Sequence, residues 1–195
     1  MPFQRELRDL AYVPRWSIVR VAKTQSVAEH SYFTTVYAMQ LAREITWGAD
    51  WFPMVEMALW HDVEECFTGD MPGPVKHKMY GAQAEVAIAE MMEARFGGEW
   101  ASGSVAYTHQ GFHEAKAIIK VASLLDDTLF LMGELQRGNE ACHAAAHSVI
   151  KKLREAWEKL PCEKQVRDRV WQAVRAAIMK EREGHSLEED KGPAS

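Results

Sequence analysis

His30, the His61-Asp62 dipeptide and an acidic position far down the chain are the side chains whose types could do chemistry together. Two imidazoles and two carboxylates make a ligand set for a divalent metal that leaves positions open for water and substrate. Such a site is hydrolytic, because the ion acidifies its water to near neutrality and polarises a phosphoryl oxygen. Glu65, four residues after His61, can orient or deprotonate the attacking water. Asp70 can hold a substrate hydroxyl or help protonate the leaving oxygen. Each residue also has a plainer reading. A His-Asp dipeptide arises by chance, and a His on an apolar helix stripe is usually a hydrogen-bonded core residue. Asp70 beside Gly69 can simply shape a turn.

Coincidence separates this set from chance. The groups fall where apolar residues are expected, and a basic set accompanies them. Arg15, Arg20, Lys23, Lys76, His77 and Lys78 lie in two loops flanking the histidines. In an acidic chain that clustering suggests a phosphate-binding rim. Trp16, beside Arg15, serves equally well as a core side chain or as a platform for a nucleobase, with Ile18 as an apolar wall.

The elements that must position these residues are helical, since apolar spacing follows the helical period and strand-like alternation is nearly absent. A short helix is predicted over 3–11, ending before Pro14, then a loop or arm over 13–25. Ser26-Val27-Ala28-Glu29 matches a capping box and starts a helix running to Glu44 that carries His30. A helix over 53–66 holds His61, Asp62 and Glu65, with His61 and Glu65 on one face as i, i+4 neighbours. The glycines and prolines of 68–74 force the chain out of helix. Further helices are expected over 81–96, 113–137, 139–159 and 162–183. The reading is an all-α bundle, one domain over 1–183 followed by a charged, disordered tail over 184–195.

Composition bounds the function. A chain of 195 residues with 47% apolar side chains fits a single full-sized core. A formal charge of −5 argues against wrapping a nucleic-acid polymer, though a local cationic pocket for a small anion remains open. Cys66, Cys142 and Cys162 are too scattered for a disulfide framework or a paired-cysteine metal site, which favours a reducing cytoplasm. No membrane span or signal segment is expected.

With these residues in view, the chain resembles the HD-domain phosphohydrolases, and among them the YfbR-like 5′-deoxynucleotidases. The resemblance covers roughly residues 12–140 and rests on Arg15-Trp16 followed by Ser26-Val27-Ala28-Glu29-His30-Ser31. It rests also on Leu59 to Glu65, on the loop from Thr68 to Lys76, and on Ile119-Lys120-Val121-Ala122. It implies an HD helical bundle, usually dimeric, in which His30, His61 and Asp62 ligate Co, Mn, Mg or Zn. It implies catalytic work for Glu65 and Asp70, and contacts to the deoxynucleotide from Arg15, Trp16, Pro74 and Lys76. Small phage dATP triphosphohydrolases of the same type are similar as well, and the arrangement of Trp16 and Ile18 looks like their adenine pocket. A monophosphate and a triphosphate substrate therefore both stay open.

The family pattern departs at one point. It has Asp as fourth metal ligand where this chain has Ser123, a poor neutral ligand. Asp126 and Asp127 follow within a helical turn, and Asp126 is favoured as the replacement. Against the enzyme stands a nucleotide-binding module degraded at Ser123. Hydrolysis of another phosphoester, such as an alarmone or a cyclic nucleotide, is a third reading.

Overall fold

The computed structural model describes residues 5–45, 52–72, 81–96 and 109–183. Regular structure among the described residues is helical, with one isolated antiparallel bridge between Pro14 and Ser26. The N-terminal segment forms a 3-10 helix, Arg5–Ala11. The α-helices are α1 (Val27–Glu44), α2 (Phe52–Trp60), α3 (Glu65–Thr68), α4 (Gly81–Phe96), α5 (His109–Gln136), α6 (His143–Trp157) and α7 (Lys164–Glu183). The all-α expectation holds. The tail over 184–195 lies outside the described residues, as do Pro74, Lys76, His77 and Lys78.

Helix α1 starts where the capping box places it. The Ser26 hydroxyl accepts from the Glu29 N–H at 3.2 Å, and the Glu29 carboxylate accepts from the Ser26 N–H at 2.8 Å. Two of the helix's orphan donors are thereby satisfied and the start is pinned. One turn later comes His30, fully buried.

The expected helix over 53–66 is not continuous. The chain leaves α2 at Trp60, turns over 61–64 and re-enters helix as the short α3. At the break, His61 Nδ1 donates to the Ala58 carbonyl at 2.7 Å. A continuing helix would use that carbonyl for the Asp62 N–H, so the side chain competes directly with the backbone ladder. His61 and Glu65 are consequently not successive residues on one helix face.

Helix α5 is the central element, packed against α1, α6 and α7 and touching α2. Its buried Ala115, Ile118, Val121, Ala122, Leu125 and Leu131 join residues of α1, α2, α6 and α7 in the main core. Burial of a side chain such as Leu or Ile contributes roughly 1.5–3 kcal/mol. The fully buried Ala38, Ala58 and Ala122 belong to the same core cluster, and such small residues let α1, α2 and α5 approach closely. A second cluster of Leu10, Val27, Val63, Met92 and Phe96 joins the N-terminal helix to α4 and to the turn after His61.

Candidate active site

Residues 14–26 form an arm whose base is closed by backbone hydrogen bonds. Arg15 N donates to Gln25 O at 2.9 Å, and Val27 N donates to Val13 O at 3.0 Å. This closure holds Arg15 and Trp16 over the start of α1 and against α5. Trp16 adopts φ +66°, a left-handed conformation that costs a non-glycine residue energy. Several contacts hold it there. Its ring stacks on Phe130 of α5 at 5.7 Å with planes 3° apart. Its indole N–H donates to Gln25 Oε1 at 3.0 Å, and its backbone N–H donates to Asp70 Oδ2 at 3.2 Å. Trp16 is therefore half-buried, with one face spent on Phe130. Ile18, two residues on, is 70% exposed.

At the centre, His30, His61 and Asp62 converge. Asp62 Oδ2 lies 3.7 Å from His30 Nε2 and 3.1 Å from His61 Nε2. Each ring is held by its other nitrogen. His30 Nδ1 donates to Asp126 Oδ2 at 2.6 Å, and His61 Nδ1 donates to Ala58 O. The same nitrogen of both rings thus faces inward, and His61 Nε2 is buried without a hydrogen-bond partner.

Electrostatics suit that reading. Burial, reinforced by the nearby Arg15 cation, lowers the His30 pKa to about 3, so its ring is neutral and keeps a lone pair. For His61, burial pulls downward, but the Asp62 carboxylate more than offsets it and leaves the value raised. Burial alone would raise Asp62, yet His61, His30 and Arg15 hold it well below the usual carboxylate range. Two imidazole nitrogens and an ionised carboxylate, with ligand atoms within 4.8 Å of one another, fit a divalent transition metal.

The sequence expectation placed Asp126 around the same ion. Its geometry is different: Asp126 meets the opposite nitrogen of His30, on the far side of the ring from Asp62 and His61. Position 123 does face the centre, and the Ser123 hydroxyl lies 3.2 Å from His30 Nε2. His30, Asp126 and Asp127 also cluster tightly, but a 2.6 Å N–O contact is hydrogen-bond distance. Arg15 Nη1, 2.9 Å from Asp127, already places a cation there. That second cluster is poorly suited to a dication.

Of the remaining predicted residues, Arg15, Glu65 and Asp70 are described. Glu65 is 5% exposed on α3. Asp70 follows α3, and burial raises its pKa despite Arg15 and the Trp16 N–H. Arg15 keeps a buried Nε without a hydrogen-bond partner. Sequence reasoning missed Gln25, which precedes the cap with no pattern to mark it, and Phe130, which reads as ordinary core. Asp127 was visible as a carboxylate in an apolar run, but not its pairing with Arg15.

Comparison with known proteins decides the family. The family described as YfbR-like 5′-deoxynucleotidase matches residues 2–165. The chain belongs to the YfbR-like 5′-deoxynucleotidase family. A 5′-deoxynucleotidase of Erwinia tasmaniensis is 29% identical over 166 residues, 77% of this chain and 82% of that one. A dATP triphosphohydrolase of Salmonella phage PMBT28 is 40% identical over 80 residues, 37% of this chain and 41% of its own length. Among solved structures, the HD phosphohydrolase DatZ of cyanophage S-2L, bound to dA and one catalytic Zn2+ ion, superposes with a TM-score of 0.70. That likeness is at 19% identity and covers 92% of this chain and 98% of the other. It assigns the HD fold to this member of the YfbR-like family.

Proposed function

We propose that the protein is a divalent-metal-dependent 5′-deoxynucleotidase, converting a deoxynucleoside 5′-monophosphate and water to a deoxynucleoside and phosphate. The observation that carries this reading is the convergence of His30 Nε2 and His61 Nε2 on Asp62, with each ring's other nitrogen anchored. His30, His61 and Asp62 would hold the ion, beside Ser123. A bound divalent ion supplies a polarised phosphoryl oxygen and an acidified water.

The chain's own residues do the rest. Arg15 presents its buried Nε edge to the phosphate, while its Nη1 is fixed by Asp127 and Gln25. Glu65 takes a proton from the water that attacks phosphorus. As the phosphorus–O5′ bond breaks, O5′ takes up a proton; Asp70, with its burial-raised pKa, is suited to deliver it. Trp16, rigid on Phe130, contacts the nucleoside, and Lys76 and Pro74 complete the substrate side in this reading. A cytoplasmic homodimer belongs to the same reading and is tested by light scattering.

A second reading, a dNTP triphosphohydrolase, is favoured by the 40% identity to the phage dATP enzyme. Metal-stripped protein given each dNMP and dNTP with Co2+, Mn2+, Mg2+ or Zn2+ separates the two. Orthophosphate from monophosphates supports the nucleotidase. Tripolyphosphate from a triphosphate supports the second reading, and no product with any metal overturns both in favour of a binding module.

A further inference from the structure

Gln25 sits at the junction of the arm and the metal-ligating helix and is 5% exposed. Its Oε1 accepts from Arg15 Nη1 at 3.2 Å and from the Trp16 indole at 3.0 Å. Its Nε2 donates to Asp126 Oδ2 at 2.8 Å. The same Asp126 oxygen accepts from His30 Nδ1 at 2.6 Å.

The polarity of this chain is fixed at every link. Arginine and indole N–H groups only donate, so the amide oxygen must face them. An ionised carboxylate only accepts, so the amide nitrogen must face Asp126. The flipped amide would set its oxygen against a carboxylate and its N–H groups against two donors. Such a buried network has one consistent arrangement, and each member constrains the next.

We infer that Gln25 and Asp126 are positioning residues that lock the nucleotide-contacting arm and the metal ligand His30 to one another. This rests on the nucleotidase reading for the roles of Arg15, Trp16 and His30. Asp126 keeps the His30 proton on Nδ1, so Nε2 is left as the ligating atom. Carboxylates behind ligating histidines tune metal affinity by about 10- to 100-fold. Gln25 extends that control to the arm. It touches neither the ion nor a ligand, yet it sets the orientation of Asp126 on one side and of Arg15 and Trp16 on the other.

The test compares full-length wild type with Gln25→Met, which keeps the volume and removes the amide. Co2+ affinity is measured by competition with a chromophoric chelator, without nucleotide. Gln25→Met is expected to bind Co2+ about tenfold more weakly. With Co2+ saturating, its KM for a deoxynucleoside monophosphate is expected to rise more than its kcat falls. Asp126→Asn serves as the second variant should Gln25→Met not fold. It is nearly isosteric, and even with its amide oxygen in the place of Oδ2 it removes the negative charge that holds the His30 proton on Nδ1. Helix content by circular dichroism accompanies both. Unchanged Co2+ affinity in a folded variant overturns the link to His30, and an unchanged KM overturns the link to the arm. Wild type that binds no Co2+ would instead overturn the nucleotidase reading, and this inference with it.

Discussion

At the scale of single residues, the site's histidines differ before any ion arrives. His30 is neutral, with its pKa near 3 because of burial and Arg15. His61 is raised: burial opposes its charge, but Asp62 at 3.1 Å more than compensates. A raised pKa means that the proton, not the free lone pair, is the competitor as pH falls. Metal uptake at pH 6.5, the ordinary imidazole value, should therefore release a proton from His61, and affinity should weaken on acidification. Calorimetric titration with Zn2+ in buffers of different ionisation enthalpy measures this directly; a heat independent of buffer would rule it out. Ser123 offers the complementary prediction. Its hydroxyl is already 3.2 Å from His30 Nε2, so Ser123→Asp places an anionic ligand at the metal centre. Divalent-metal affinity should rise by at least about tenfold, roughly 1.4 kcal/mol. Chelator competition reads the change, and an unchanged Kd would show that position 123 does not face the ion.

Elements position these residues, and one buried carboxylate ties two of them together. Glu134, near the end of α5 and fully buried, accepts from the backbone N–H groups of Ala22 and Lys23 in the arm and from Asn139 Nδ2 at 2.7 Å. Burial alone would raise its pKa, but these donors hold it below the ordinary glutamate value of 4.5. For a carboxyl depressed in the folded state, the stabilisation is present above the unfolded-state pKa and lost as pH falls through the folded one. Glu134→Gln should lower stability at pH 7 by about 1–3 kcal/mol and lose less on acidification than wild type. Urea denaturation at neutral and acid pH tests this; equal losses in both proteins would count against it. Much of this scaffold was legible in the sequence. The start of α1 could be read because Ser26 and Glu29 are a local, reciprocal signal. The break after Trp60 could not, since periodicity says nothing about an imidazole that captures a carbonyl three residues back. That Asp126 meets the opposite nitrogen of His30 from Asp62 was hidden for a related reason. Three residues turn a helix by about 300° and advance it about 4.5 Å, enough to carry a carboxylate from one face of His30 to the other. Neighbouring sequence positions marked the site, but only packing settled which nitrogen each side chain meets.

Over the whole molecule, the candidate metal site joins parts that are distant in sequence. His30 comes from α1, His61 and Asp62 from the turn after α2, and Ser123 from the central α5. Such a site exists only when these parts are packed, so an ion that binds it binds the folded state and stabilises the entire fold by mass action. At a free metal concentration of about 100 Kd, that stabilisation is about 2.7 kcal/mol. For a domain of this size, each kcal/mol raises Tm by about 2–4 °C. Metal-loaded protein should therefore melt about 5–10 °C above protein stripped with a chelator. An acidic chain of net charge −5 also attracts cations to its surface, so a control is needed. His61→Ala and Asp62→Ala leave the surface charge nearly intact while removing a ligand. Both should keep their helix content in the stripped state, lose most of the metal-induced rise and lose turnover. Scanning calorimetry of the three proteins, with and without Co2+, decides the point. An equal rise in all of them would assign the stabilisation to surface binding and remove the centre around His30 from the account of this fold.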